Sequence, residues 1–166
     1  MQAIAIADNN WAVSLKGKPI ASIPAERKTM MQEIRGKTII YDYDYVEELP
    51  GQQPVAGCDN LVYIGERNVS VKGAKCFKTF EDMEKALEQK NGNEVYIIFG
   101  ASTYDHFYEK IDTFHVTKID YEYRADAHIR NLDADPDFTI TADSDEQYCY
   151  DILYSFLRYE RRKKND

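Results

Sequence analysis

Apolar residues run along this chain in short, β-branched and aromatic bursts, separated by polar segments carrying glycine or proline. That spacing belongs to buried strands alternating with short helices. Gln2-Ala3-Ile4-Ala5-Ile6-Ala7 is small and apolar and reads as a buried first strand, closed by Asp8-Asn9-Asn10. Residues 9–24, with Gly17, Pro19 and Pro24, read as one long loop, and a loop of that length in a compact domain is commonly functional. Pro24-Ala25-Glu26 opens a helix, with proline near its first position and an acid in its first turn. Met30, Met31 and Ile34 supply its apolar face, and Gly36 is its C′ residue. Thr38 to Tyr41 is a second buried strand, and Tyr43 to Glu48 one or two helical turns stopped by Pro50-Gly51.

Residues 50–59 are loop, Asn60 to Ile64 is a third strand and Cys76-Phe77 a fourth. Thr79 caps a helix whose face carries Phe80, Met83, Ala86 and Leu87, and Asn91-Gly92-Asn93 ends it. Glu94 to Phe99 then reads as a strand buried on both faces, turning at Gly100-Ala101 into a helix capped by Ser102, with Tyr104, Phe107 and Tyr108 inward. A strand, a small-residue turn and a helix start can hold a phosphate, although most such turns hold nothing. Beyond this point strand follows strand: Thr113 to Ile119, a short extended piece at Ile129 to Leu132, then Phe138 to Thr141 against Gln147 to Arg158. The pattern predicts an α/β domain, a mostly parallel sheet with an antiparallel edge.

At 166 residues and 43% apolar content, the chain has enough material for one real core. A formal charge of −8 argues against a general nucleic-acid or anionic-membrane role, and the basic tail from Arg158 to Lys164 reads as a strand end fraying into solvent. Cys58, Cys76 and Cys149 are scattered, with no CxxC pair, which predicts free thiols in a reducing cytosol and no zinc site. Residues 1–8 lack the basic region and long apolar core of a secretory leader, and no apolar run in the chain approaches ~18 residues, so neither a leader nor a membrane span is expected. Asp133, Asp135 and Asp137 have calcium-loop spacing, but Pro136 interrupts them and no EF-hand glycine or distant glutamate follows. His106, His115 and His128 lack ligand spacing, so no metal is expected, and no nucleophile–histidine pair stands out.

Several segments together resemble a dihydrofolate reductase, closest to the short bacterial form, in order and spacing over nearly the whole chain. They are Ala3 to Val13, Ile23-Pro24-Ala25-Glu26, the Glu94–Phe107 strand-turn-helix, Asp112-Thr113 with Val116-Thr117-Lys118-Ile119-Asp120, and Leu132 to Phe138. The resemblance implies a single dihydrofolate-reductase-like domain over residues 1–166, with an eight-stranded, mostly parallel sheet, an antiparallel C-terminal edge and about four flanking helices. It implies a cytoplasmic monomer acting on a folate-like small molecule: hydride passes from NADPH to 7,8-dihydrofolate, giving tetrahydrofolate. Glu26 falls at the family's one acidic active-site position, where it would grip the pterin's ring nitrogen and amino group and help deliver a proton. Read without the resemblance, Glu26 merely favours a helix N-terminus. Thr117 matches the threonine that supports this acid through its hydroxyl, and also suits any strand. Ile4, Ala5, Met30 and Ile98 match positions lining the substrate cleft. Ala5, Ile98, Gly100, Ala101, Ser102 and Tyr104 match cofactor positions, with Arg67 as a displaced phosphate contact.

The cofactor positions also depart from the family's pattern. Where the family has Gly-Arg-x-Thr, this chain reads Asp42-Tyr43-Asp44-Tyr45, placing two carboxylates where a polyanion docks. A like-charge contact at ~4 Å costs about 4 kcal/mol at an effective dielectric near 20. Phe99-Gly100 replaces the paired glycines of the family's turn, and Cys58 or Asp59 stands where an arginine clamps folate's tail. The long loop reads Pro19-Ile20-Ala21-Ser22 in place of Pro-Trp, and Ser14 replaces a hinge glycine. The expectation is a dihydrofolate reductase homologue with weak or lost activity. A fully active reductase with a deviant cofactor site and a non-catalytic pteridine-binding or protein-interaction module stay open beside it.

Overall fold

The computed structural model describes residues 1–164. In chain order the elements are β1 (Gln2–Ala7), β2 (Ala12–Leu15), β3 (Lys18–Pro19), α1 (Pro24–Glu33), β4 (Thr38–Asp42), β5 (Asp59–Tyr63), β6 (Lys75–Phe77) and α2 (Phe80–Leu87). They continue with β7 (Val95–Phe99), α3 (Ala101–His106), β8 (Thr113–Ile119), β9 (Ala127–His128), β10 (Phe138–Asp143), β11 (Gln147–Cys149) and β12 (Ile152–Arg161). The main sheet runs β10-β12-β8-β1-β7-β4-β5-β6, with β11 pairing the other half of β12's outer edge. β1 and β4 to β8 are mutually parallel, whereas β12 is antiparallel to β8 and to both outer strands. The mostly parallel sheet with an antiparallel C-terminal edge is therefore as the sequence implies, eight strands along the path plus β11.

Alternation along β1 sets the two layers. Ala3, Ala5 and Ala7 lie on one face in a cluster with Trp11, Tyr104, Phe107, Phe114 and Tyr159. Ile4 faces the other way, into a cluster with Met30, Ile34, Ile39, Tyr41 and Ile98. Three alanines in the central strand leave room for five large rings on one side, since an interior packs to a nearly fixed density. On that side Phe80 at the start of α2 is stacked between Tyr63, 4.1 Å away, and His106, 4.5 Å away. Thr79 caps α2 as its sequence predicts, accepting from the Asp82 backbone N–H at 3.1 Å.

The structure corrects five readings. Residues 9–24 are not one loop: β2 and β3 form a hairpin, turning through Lys16 and Gly17 at φ +50° and +79°, and β9 joins β2 as a third strand. The extended piece lies at Ala127–His128, while Ile129 and Leu132 are core residues in irregular chain. The C-terminal strand is interrupted at Tyr150, φ +55°, which makes β11 and β12 a tight pair. There are three α-helices rather than four among the described residues. Tyr43–Glu48 forms 3₁₀ turns, which end where Leu49 turns extended ahead of Pro50.

Gly100 joins β7 to α3 at φ +126°, and it, not Ser102, is the helix's N-cap residue, with no side-chain capping bond. A Cβ there would sit 3.0 Å from the Thr103 hydroxyl oxygen and 3.3 Å from the Asp42 Cβ. Gly100→Ala is expected to lower the unfolding free energy by about 1–3 kcal/mol through backbone strain and crowding. The urea midpoint checks this, and an unchanged midpoint would show that the turn relaxes freely.

Candidate active site

Glu26 sits in the first turn of α1, where Pro24 presets the entry and the buried Ile23 anchors it as N-cap residue. Only 8% of Glu26 is exposed, and burial raises its pKa from the usual 4.5 to about 7, with the neighbouring Arg27 pulling the other way. Glu26 and Ile4 together form a wall between two cavities. The front cleft holds about 40 Å³ and is bounded by β1, the β2–β3 hairpin, Tyr45 and the end of β7. The back cavity holds about 280 Å³ and lies between α1 and strands β8, β10 and β12.

The sequence-predicted residues divide between these spaces. Ile4, Ala5, Glu26, Ile98 and Tyr104 meet at the front cleft. Tyr104 is fastened there, its hydroxyl donating to the Ile4 carbonyl oxygen at 2.5 Å. Met30 and Thr117 line the back cavity with Ile4 and Glu26, and no side-chain hydrogen bond contributes to holding the Glu26 carboxyl. Ala101 and Ser102 lie outside both, at the start of α3 with Gly100, and Ser102 is exposed. Arg67 is also elsewhere: its guanidinium makes a two-pronged bond to the Asp44 carboxylate at 2.7 and 2.9 Å. It also lies over the Tyr43 ring, 5.3 Å from the centroid.

The side where the family resemblance leads one to expect a cofactor is closed in two places. Phe99 stacks on Tyr45 at 4.8 Å with 16° between rings, filling the head of the front cleft. The Asp44 carboxylate lies so close to Gly17 that a Cβ there would be 2.2 Å from its oxygen, which brings the hairpin tip down on the Asp42–Tyr45 turn. Asp42 is raised in pKa by burial and then by the Asp44 charge, with Arg67 offsetting both. A carboxylate already fills Arg67's fork, so the residues present do not fit a dinucleotide phosphate docked at this turn. Of the two residues at the expected place of the folate-tail arginine, the Cys58 thiol donates to the Ile34 carbonyl oxygen at 3.2 Å, and Asp59 is bound by Lys90 at 2.5 Å and approached by Lys75 at 3.7 Å.

Sequence reasoning missed Tyr45 as Phe99's stacking partner, and Glu33, His115 and Arg158 as walls of the back cavity. Glu33 carried one signal, since it lies seven residues after Glu26 and hence on the same face of α1. The three aspartates at calcium-loop spacing are turn residues: Asp133 and Asp135 accept hydrogen bonds from the Tyr159 and Tyr108 hydroxyls. No group of His, Cys, Asp and Glu among the described residues is arranged to hold a metal ion, and no helix there is long and apolar enough to cross a membrane.

The fold is shared with a solved protein described as dihydrofolate reductase from Enterococcus faecalis complexed with NADP(H) and RAB-propyl. The TM-score is 0.79 at 15% sequence identity, covering 98% of this chain and 96% of that one. No curated protein sequence matches the chain. The family model described as dihydrofolate reductase matches residues 1–161, and with that span nearly the whole chain is accounted for: it belongs to the dihydrofolate reductase family.

Proposed function

We propose that this protein is a reductase homologue that retains a pteridine-type site at Glu26 but binds NADPH weakly or not at all. The carrying observation is the Asp44–Arg67 pair under the hairpin tip, an internal anion in the place of a cofactor phosphate. The Phe99–Tyr45 stack supports the same reading, because it occupies the side of the cleft where a nicotinamide would approach. The folate-side residues argue for retention: a buried, unpartnered carboxyl in an apolar cleft suits a heterocycle presenting two N–H donors. At about 40 Å³ the cleft is much smaller than the back cavity's 280 Å³, and on this reading the ring enters by lifting the β2–β3 hairpin that bounds it. One observation favours the alternative, a working reductase with a deviant cofactor site. Glu26 near pH 7 is poised to give up a proton at neutral pH. On either reading we assign the protein a monomeric state and a cytoplasmic setting.

Separate titrations with NADPH and dihydrofolate distinguish the two. A ligand at a hundred times its Kd stabilises by about 2.7 kcal/mol, roughly 5–10 °C in Tm for a domain of this size. Dihydrofolate is expected to raise Tm and to lose that effect in Glu26→Ala, whereas NADPH at 1 mM moves Tm by less than about 1 °C. A rise of several degrees with NADPH would sink the degenerate reading.

The Glu26 carboxyl also gives a stability signature. Its folded pKa lies above its unfolded one, so the folded state holds the proton more tightly. The protein is favoured below pH 4.5 and loses stability as pH climbs to about 7, beyond which the loss is constant. At 1.36 kcal/mol per pKa unit the total is about 3 kcal/mol. Glu26→Gln is therefore expected to be more stable than the parent by about 2–3 kcal/mol at pH 8 and indistinguishable near pH 4. Denaturant unfolding at both values checks the sign.

A further inference from the structure

The back cavity is not needed by the reading above and has its own chemistry. Its floor is apolar, with Ile4, Met30 and Phe156, and ends at Glu26, a residue 92% withdrawn from solvent. Its mouth is wet: Thr29 and Glu33 on α1, Asp143 on β10 and Arg158 on β12 are all exposed there. Glu26 and Glu33 are seven residues apart, which is two turns or about 10 Å along the helix axis. The space thus has a carboxyl at its inner end, carboxyls at its outer end and hydrocarbon between.

The other charged and titratable groups do not cancel this. The Tyr96 hydroxyl donates to Glu33 at 2.6 Å. Arg158, at the mouth, donates to the Thr141 hydroxyl at 2.9 Å and lies 3.8 Å from Glu160. His115, whose Nε2 faces the Gln2 side-chain oxygen at 2.8 Å, is held below its usual pKa by burial, only partly offset by Glu33, and so is neutral at pH 7. Arg27 abuts Glu26 from the front cleft, not from this side. Three carboxyl groups therefore face one guanidinium that is already engaged.

We propose that this cavity is a binding site for a small dication with an apolar middle, of the α,ω-diaminoalkane class. One ammonium group pairs with Glu26 at the floor, the methylenes lie on Ile4, Met30 and Phe156, and the second ammonium sits between Glu33 and Asp143. An ammonium placed beside Glu26 favours its ionised form, so binding converts the carboxylic acid to carboxylate and releases the proton to solvent. The site is reached from between α1 and the C-terminal strands, and does not depend on the hairpin or on the folate reading.

The test is calorimetric titration of the full chain with 1,5-diaminopentane at pH 6, 7 and 8, each in two buffers of different ionisation enthalpy. The expected result is release of about half a proton per diamine at pH 7 and almost none at pH 8, with binding about tenfold weaker at pH 6 than at pH 8. Pentylamine, lacking the second ammonium, is expected to bind at least fivefold more weakly, a comparison that needs no variant. Thr29→Trp, an exposed position at the mouth, is expected to abolish binding. Ala21→Tyr, which narrows only the front cleft, is expected to leave it unchanged. Absence of heat at 10 mM diamine, equal binding of pentylamine, no proton release at pH 7, or sensitivity to Ala21→Tyr would each overturn the proposal. None of these outcomes bears on whether dihydrofolate or NADPH binds in the front cleft.

Discussion

The parallel register of β1 between β7 and β8 is the constraint on which the other features depend. Gln2 pairs with Tyr96 on one side and Thr113 on the other, so the first strand is completed only by chain about a hundred residues later. That register puts Ile4 opposite His115 and Ile6 opposite Thr117. With the pleat fixed, the odd-numbered alanines take the aromatic layer and Ile4 the α1 layer. A slip by one residue would exchange the two faces, putting isoleucines under the rings and leaving an alanine against α1. Parallel pairing at such sequence separation carries a large loop-closure cost before it yields contacts, so β1 is expected to lock late in folding.

The strands and their order were legible because each is a short apolar burst bounded by turn residues, and the C-terminal change of rhythm announced the antiparallel edge. Boundaries failed where backbone conformation, not side-chain pattern, made the decision. Tyr150 adopts positive φ although it is not the glycine or asparagine that usually marks such a turn, so the β11–β12 break left little trace; at the β2–β3 turn Gly17 marked only one of the two positive-φ positions, the other being Lys16. Of the site, Glu26 was visible by its place after Ile23-Pro24, and the Asp42 and Asp44 charges by their sign. What those charges do was not visible. The Asp44–Arg67 pair spans 23 residues and needs the parallel β4–β5 pairing to bring the two ends together.

On the reading proposed above, that pair puts a side chain where a ligand would otherwise sit. A two-pronged guanidinium–carboxylate bond satisfies an arginine's fork in the same way as a phosphate does. At 42% and 34% side-chain exposure the pair contributes modestly to stability. Its larger effect is on binding, because an arriving anion must displace a tethered partner rather than water. The backbone at Gly17, pressed on the same carboxylate, ties the hairpin's position to that displacement.

Glu26 as the wall between two cavities has a different implication. A carboxyl carries one proton, and whichever compartment draws on it changes the charge presented to the other. If both sides are occupied as proposed, their occupants are linked thermodynamically without touching. A partner that favours the ionised acid on one face penalises any that needs the protonated acid on the other, by the same factor in both directions. The buried acid makes one side chain the medium of communication across a helix that itself need not move.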